Sequence, residues 1–173
     1  MNRKAKRGIL AGVLVAACSA AGITWANADS APRQRLHMLW IEHDGVEETI
    51  SAHAAGPIRG HGTVTEGERV NTPDGPRGSL TLHFDDGTVS VSFVERDFQQ
   101  NFDPQACAAA PTARATLSIT GGTGAYAGAS GQLEATREGR IIGARGENGE
   151  CLGRSAPPKV VVMRVDAVGT ASI

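Results

Sequence analysis

The stretch SITGGTGAYAGASG, Ser118 to Gly131, carries the residue types of a phosphate-cradling loop. Closely spaced glycines let a backbone approach a pyrophosphate and offer it N–H groups. Thr120-Gly121-Gly122-Thr123-Gly124 matches the start of a dinucleotide-binding loop. Such a loop works only between a strand and a helix, inside a βαβ unit. An alternating strand does precede it. The residues after it are not helical: Gly128, Gly131 and renewed alternation come next, Ala127 fills the slot of the last glycine, and 42 residues remain after Gly131. The stretch therefore reads as a turn between two strands. Its glycines supply positive φ and close backbone approach, and Tyr126 folds over the bend as a plug.

Other side chains also have the chemistry for a site. The five histidines are His37, His43, His53, His61 and His83; only His37 and His43, six apart, share a strand face at compact spacing. They read as surface residues. Carboxylates gather at Glu42, Asp44, Glu47 and Glu48 around Gly45, and at Asp85 and Asp86 before Gly87. Both groups read as solvated acidic turns. Glu42 is the member placed to reach a barrel mouth as a general acid or base. Near the C-terminal end, Val161, Met163 and Val165 form the better apolar face, which turns Arg164 outward with Asp166. Turned inward, Arg164 would be an internal charge in need of a partner, so Glu42 and Arg164 are the candidate polar groups of a cavity. No serine or cysteine nucleophile motif, P-loop or zinc signature occurs, and no catalytic residue, metal ligand or cofactor is assigned.

These residues must be positioned by strands. No stretch keeps apolar residues at helical spacing for three turns, whereas short alternating runs recur. The clearest unit is a hairpin of SLTLHF, Ser79 to Phe84, and TVSVSF, Thr88 to Phe93. Asp-Gly favours a type I′ turn, which predicts Asp86 and Gly87 at the bend and pairs Phe84 with Val89, Leu82 with Val91 and Leu80 with Phe93. Further strands are predicted at Arg35 to His43, Glu48 to Ala55, Gly60 to Thr65, Thr112 to Thr120, Gln132 to Glu138 and Lys159 to Val168. The first has apolar residues on both faces and reads as buried on both sides. Asn71 to Gly78 reads as a turn, and Glu95 to Pro111 and Gly143 to Pro158 as two long connections. About eight short strands with turn signals predict an all-β antiparallel barrel or sandwich.

The N-terminus has the layout of a secretory signal peptide. Arg3, Lys4, Lys6 and Arg7 precede an apolar run, and Ala26-Asn27-Ala28 offers cleavage between Ala28 and Asp29. That assigns residues 1–28 to a leader and 29–173 to a single domain. Two alternatives remain open: Val15-Ala16-Ala17-Cys18 resembles a lipobox, with Cys18 lipidated at a membrane, and Gly8 to Trp25 spans 18 residues, the lower edge for an anchor. Of the 17 basic and 18 acidic residues, four basic ones fall in the leader, which leaves 13 against 18, a formal charge of −5. An acidic domain is a poor partner for nucleic acid or an anionic membrane. Cys107 and Cys151 remain as an even pair, expected to be bonded in an oxidising compartment.

The glycine-rich turn also carries a family resemblance. Gly121-Gly122-Thr123-Gly124-x-Tyr126-x-Gly128-Ala129 resembles the hairpin of dirigent proteins and allene oxide cyclases. Ala55-Gly56-Pro57-Ile58 with Gly60-x-Gly62-Thr63, Phe102-Asp103-Pro104 with Cys107, and Ala167-x-Gly169-Thr170 resemble exported bacterial proteins with an allene-oxide-cyclase-like barrel. The resemblance implies an eight-stranded antiparallel barrel with an apolar interior, which in the plant relatives holds a hydrophobic small molecule. Their catalytic carboxylates find no match here. The expected function is therefore an exported, non-catalytic barrel that binds an apolar small molecule or a surface partner. The alternative is an isomerase, cyclase or dirigent-type protein that steers a reactive intermediate by cavity shape. A solidly packed inner face favours binding at most, and an open cavity with two or more buried polar groups favours the alternative.

Overall fold

The computed structural model describes residues 32–73 and 75–173. The predicted leader, its cleavage site at Ala28 and Asp29, and Cys18 lie outside the described residues. Eight antiparallel strands succeed one another around a closed barrel. They are β1 (Arg33–His43), β2 (Val46–Ala55), β3 (Gly60–Thr72), β4 (Gly75–Phe84), β5 (Gly87–Asp103), β6 (Ala108–Gly122), β7 (Ser130–Ile142) and β8 (Val160–Ser172). β8 closes the ring on β1 through an unbroken register from Arg33–Thr170 to His43–Val160. Each strand alternates, so one set of side chains is enclosed: Leu36 and Met38 from β1, Leu82 from β4, Val91 from β5, Leu117 from β6 and Leu133 from β7 are all buried.

The two ends of the barrel differ. One end is sealed by the glycine-rich connection, which forms a single 3-10 turn, Gly124–Tyr126, between β6 and β7. Tyr126 is buried there, its ring edge-on to Phe84 at 5.5 Å, and its hydroxyl donates to the Arg59 carbonyl at 2.8 Å. Two backbone bonds fasten this turn to the neighbouring hairpin, Thr123 N to Thr88 O and Ala125 N to Asp86 O, both 2.9 Å. Beside it Gln34 braces the loop before β3: its Nε2 donates to Ile58 O at 2.9 Å and its Oε1 accepts from Ile58 N at 3.0 Å. The other end carries the β5–β6 turn and the 143–159 connection, and the Cys107–Cys151 disulfide ties these together with its Cα atoms 5.6 Å apart.

Several expectations need correction. The β4–β5 register pairs Phe84 with Gly87, Leu82 with Val89 and Leu80 with Val91, two residues from the expected one. The bend is Asp85-Asp86. Gly87 belongs to the strand, at φ 149°, because a β-carbon there would overlap the Thr123 carbonyl. A two-residue shift preserves the face, so the six apolar side chains still point inward. The positive-φ Asp-Gly bend occurs instead at Asp44 (φ 51°) and Gly45 (φ 78°), between β1 and β2. Asn71 to Gly78 is mostly strand, paired across a tight turn. Glu95 to Pro111 is no loop: β5 and β6 run through it and pair as far as Asp103–Ala108. β1 is buried on its inner face only, with Leu39 and Ile41 half-exposed.

Stability measurements check the two fastenings. Joint replacement of Cys107 and Cys151 by Ser is expected to cost about 4 kcal/mol, the loop-closure entropy of a cross-link of this span. Reductant should lower the denaturant midpoint of the wild-type chain to match. Tyr126→Ala is expected to cost about 3–5 kcal/mol, the range for emptying a buried aromatic site, whereas Tyr126→Phe should lose only the bond to Arg59. A Tyr126→Ala midpoint equal to wild type would show that the turn is not a plug.

Candidate functional site

The apolar strand faces predict what stands beyond them. Val89, Val91 and Phe93 face inward on β5, so Glu95 must as well. Leu133 and Ala135 do so on β7, so Arg137 is next in line, and Val64 on β3 is succeeded by Glu66. A bulge between Glu66 and Arg69 brings Arg69 to the same side. The half of the barrel farther from Tyr126 is therefore not filled. It holds a cavity of about 370 Å³, within the roughly 300–1,000 Å³ of small-molecule sites. Its walls are mainly apolar, with Met38, Trp40, Phe93, Leu117, Met163 and Val165 prominent.

The charged side chains meet on one side of this space. Glu95 is only 4% exposed and has two guanidiniums on one oxygen: Arg137 Nη2 donates to Oε2 at 3.0 Å and Arg69 Nη2 at 3.3 Å. Arg69 also pairs with Glu66 at 3.4 Å. Two positive and two negative groups thus compensate one another inside the barrel. Each guanidinium also lies near an aromatic ring: Arg69 Cζ is 5.6 Å from the Phe93 centroid and Arg137 Cζ 5.8 Å from that of Phe98. Phe98 reaches that position from the second β5 bulge, where Asp97 takes φ 54°. Burial lowers the pKa of Arg137 below the ordinary arginine value, against the opposing attraction of Glu95. Among the described residues, Trp40 Nε1 and Arg137 Nε are buried polar atoms with no hydrogen-bond partner.

The wall beside Arg69 and Glu66 is loosely closed. β2 and β3 pair only from Ser51–Thr63 to Ala54–Gly60. Beyond that, β2 stays with β1 and β3 with β4. The unlaced stretch is flanked by Ile50, Val64, Glu66 and Arg69, all of which line the cavity.

Of the two candidate cavity groups from the sequence, Glu42 lines the cavity. Arg164 does not. It stands on the outer surface, 59% exposed, with its Nε 2.6 Å from Asp166 Oδ2. Strand parity explains the difference, since Val161, Met163 and Val165 take the inner face of β8. The residues that sequence reasoning missed are Glu66, Arg69, Glu95 and Arg137. A charged residue breaks an apolar alternation, so each run looks finished just before its inward charge; one more inward step along each run reaches Glu66, Glu95 and Arg137. Gly121, Gly122, Thr123, Gly124 and Gly128 lie in the sealed end, away from the cavity. The histidines show order only once the strands are paired. Asp166, His37, His53 and His61 are successive cross-strand neighbours on the outer face, and the His53 and His61 rings stack at 4.4 Å. Among the described residues, no three His, Cys, Asp or Glu side chains converge as a metal site. No family model, curated protein or solved structure matches this chain.

Replacing Glu95 by Gln leaves Arg137 buried without its counter-charge and is expected to destabilise the fold by about 3–5 kcal/mol in denaturant titration. Joint Glu95→Leu and Arg137→Met replacement should lose much less, because both charges leave together and Arg69 retains Glu66. Equal losses would mean that the pair is not coupled.

Proposed function

We propose that this chain is an exported barrel that binds an apolar small molecule in the open half of its interior. The cavity carries the proposal: a mainly apolar space of about 370 Å³ in a barrel whose other half is packed. Burial of an apolar body supplies the affinity, and the few polar groups orient it. Export is supported by the Cys107–Cys151 bond, since such bonds persist in oxidising compartments. The closed eight-stranded ring supports the resemblance to allene-oxide-cyclase-like and dirigent-like barrels. A fold shared with them leaves the choice between binding and catalysis to the site.

One observation favours the second reading, an isomerase or cyclase. The cavity is open and holds two polar groups of opposite charge, Glu95, which is buried, and Arg137, which is partly buried. Binding remains the primary reading because Glu95 already serves two guanidiniums and the cluster compensates its own charge. Chromatography coupled to mass spectrometry separates the two readings: a bound molecule recovered after incubation at unchanged mass and retention time supports binding, and one recovered at the same mass but a new retention time, as an isomer, supports catalysis.

The cavity itself is tested by filling it. Val165→Phe, on the inner face of β8, is expected to weaken binding of a neutral naphthylamine probe at least tenfold, read by probe fluorescence, with an unchanged far-ultraviolet dichroism spectrum. Unaltered probe affinity in the folded variant would place binding elsewhere.

A further inference from the structure

The balance of donors and charges in the cavity specifies its ligand more narrowly than apolar character does. Both guanidiniums are matched, Arg137 by Glu95 and Arg69 by Glu95 and Glu66. Glu42 adds a further carboxylate to the lining. A ligand anion would therefore enter a space with no uncompensated positive charge, and would lose its hydration without a counter-ion. A ligand cation would find carboxylates, but its best partner, Glu95, is already engaged by two guanidiniums. What the cavity leaves unused is donor capacity. Trp40 Nε1–H and Arg137 Nε–H are both without an acceptor and both belong to side chains that line the space; each is closed off as it stands, so a ligand oxygen reaches it by a small turn of the side chain. Indole nitrogen only donates, and guanidinium only donates. The complementary group is an acceptor oxygen.

The geometry points to a ligand that is uncharged and mainly apolar, with a ketone, ester, ether or epoxide oxygen that accepts from Trp40 or Arg137. It is not a fatty-acid carboxylate. This inference rests on the cavity-binding reading above. It adds that a matched pair of molecules differing only in an acceptor oxygen will be told apart, because the molecule without it leaves a buried donor unpaired.

Three probes of similar size test it by calorimetry on the purified protein: 2-acetylnaphthalene with a neutral acceptor, 2-ethylnaphthalene with none, and 2-naphthoate with a negative charge. The acetyl compound is expected to bind at least tenfold more tightly than either of the others. Trp40→Phe keeps the apolar wall and removes one donor, and should shrink the preference for acetyl over ethyl at least threefold. Should that variant fail to fold, the indole N–H proton resonance of Trp40 in the wild-type protein gives a second measurement: the acetyl compound should move it downfield and the ethyl compound should not. Equal binding of acetyl and ethyl compounds, or tightest binding of the carboxylate, would overturn the inference and leave cavity binding in place. Failure of all three to bind would remove the cavity-binding reading and this inference with it.

Discussion

A sheet that closes on itself must commit one face of every strand to a single enclosed volume. In this chain the β8–β1 ladder imposes that constraint, since it is the ladder that turns seven consecutive hairpin pairings into a ring. Once the ring is shut, a side chain two positions along from a buried valine or leucine has no choice of side. Near Tyr126 the enclosed residues are apolar, apart from the hydrogen-bonded Gln34, and the volume is filled. Farther along, the same parity carries Glu66, Glu95 and Arg137 inward, and the volume is left partly empty. The packed core and the charged cavity are two halves of one alternation.

The charge cluster shows how such an interior is tolerated. A carboxylate withdrawn from water costs several kcal/mol unless it is paired and hydrogen-bonded. Glu95 meets that requirement with two guanidiniums, each of which stands over an aromatic ring, Arg69 over Phe93 and Arg137 over Phe98. The bulges in β3 and β5 are part of the same arrangement. Each inserts an irregularity beside the cluster, one delivering Arg69 and the other Phe98. These two departures from regular pairing stand next to the cavity, whereas the first β5 bulge, at Ser90 and Val91, lies toward the sealed end.

Much of the architecture was legible in the sequence. Alternation in Ser79 to Phe93 gave the inward face of that hairpin, and two remaining cysteines gave the cross-link. The glycine-rich stretch was readable as a turn because the helix required for phosphate binding was missing. The register of the β4–β5 hairpin was not legible. Asp-Gly dipeptides occur at Asp44–Gly45, Asp74–Gly75 and Asp86–Gly87, and nothing local distinguishes a glycine needed for a bend from one needed to admit Thr123 from a distant turn. The cavity was hidden for a related reason. Val-Glu-Arg-Asp after Phe93 looks like the beginning of a loop until the closed ring shows that Glu95 is inside. The row of Asp166, His37, His53 and His61 likewise exists only across four strands.

The short β2–β3 ladder gives the ring a seam. Most neighbouring strands are laced along most of their length, but here four residue pairs hold two strands of ten and thirteen residues. Parting a sheet costs least where fewest ladder bonds must break. The seam adjoins the cavity on the side of Ile50, Val64 and Arg69. This flank is therefore where the wall parts at least cost, as a hinged clasp does, while the Tyr126 plug and the disulfide hold the opposite ends.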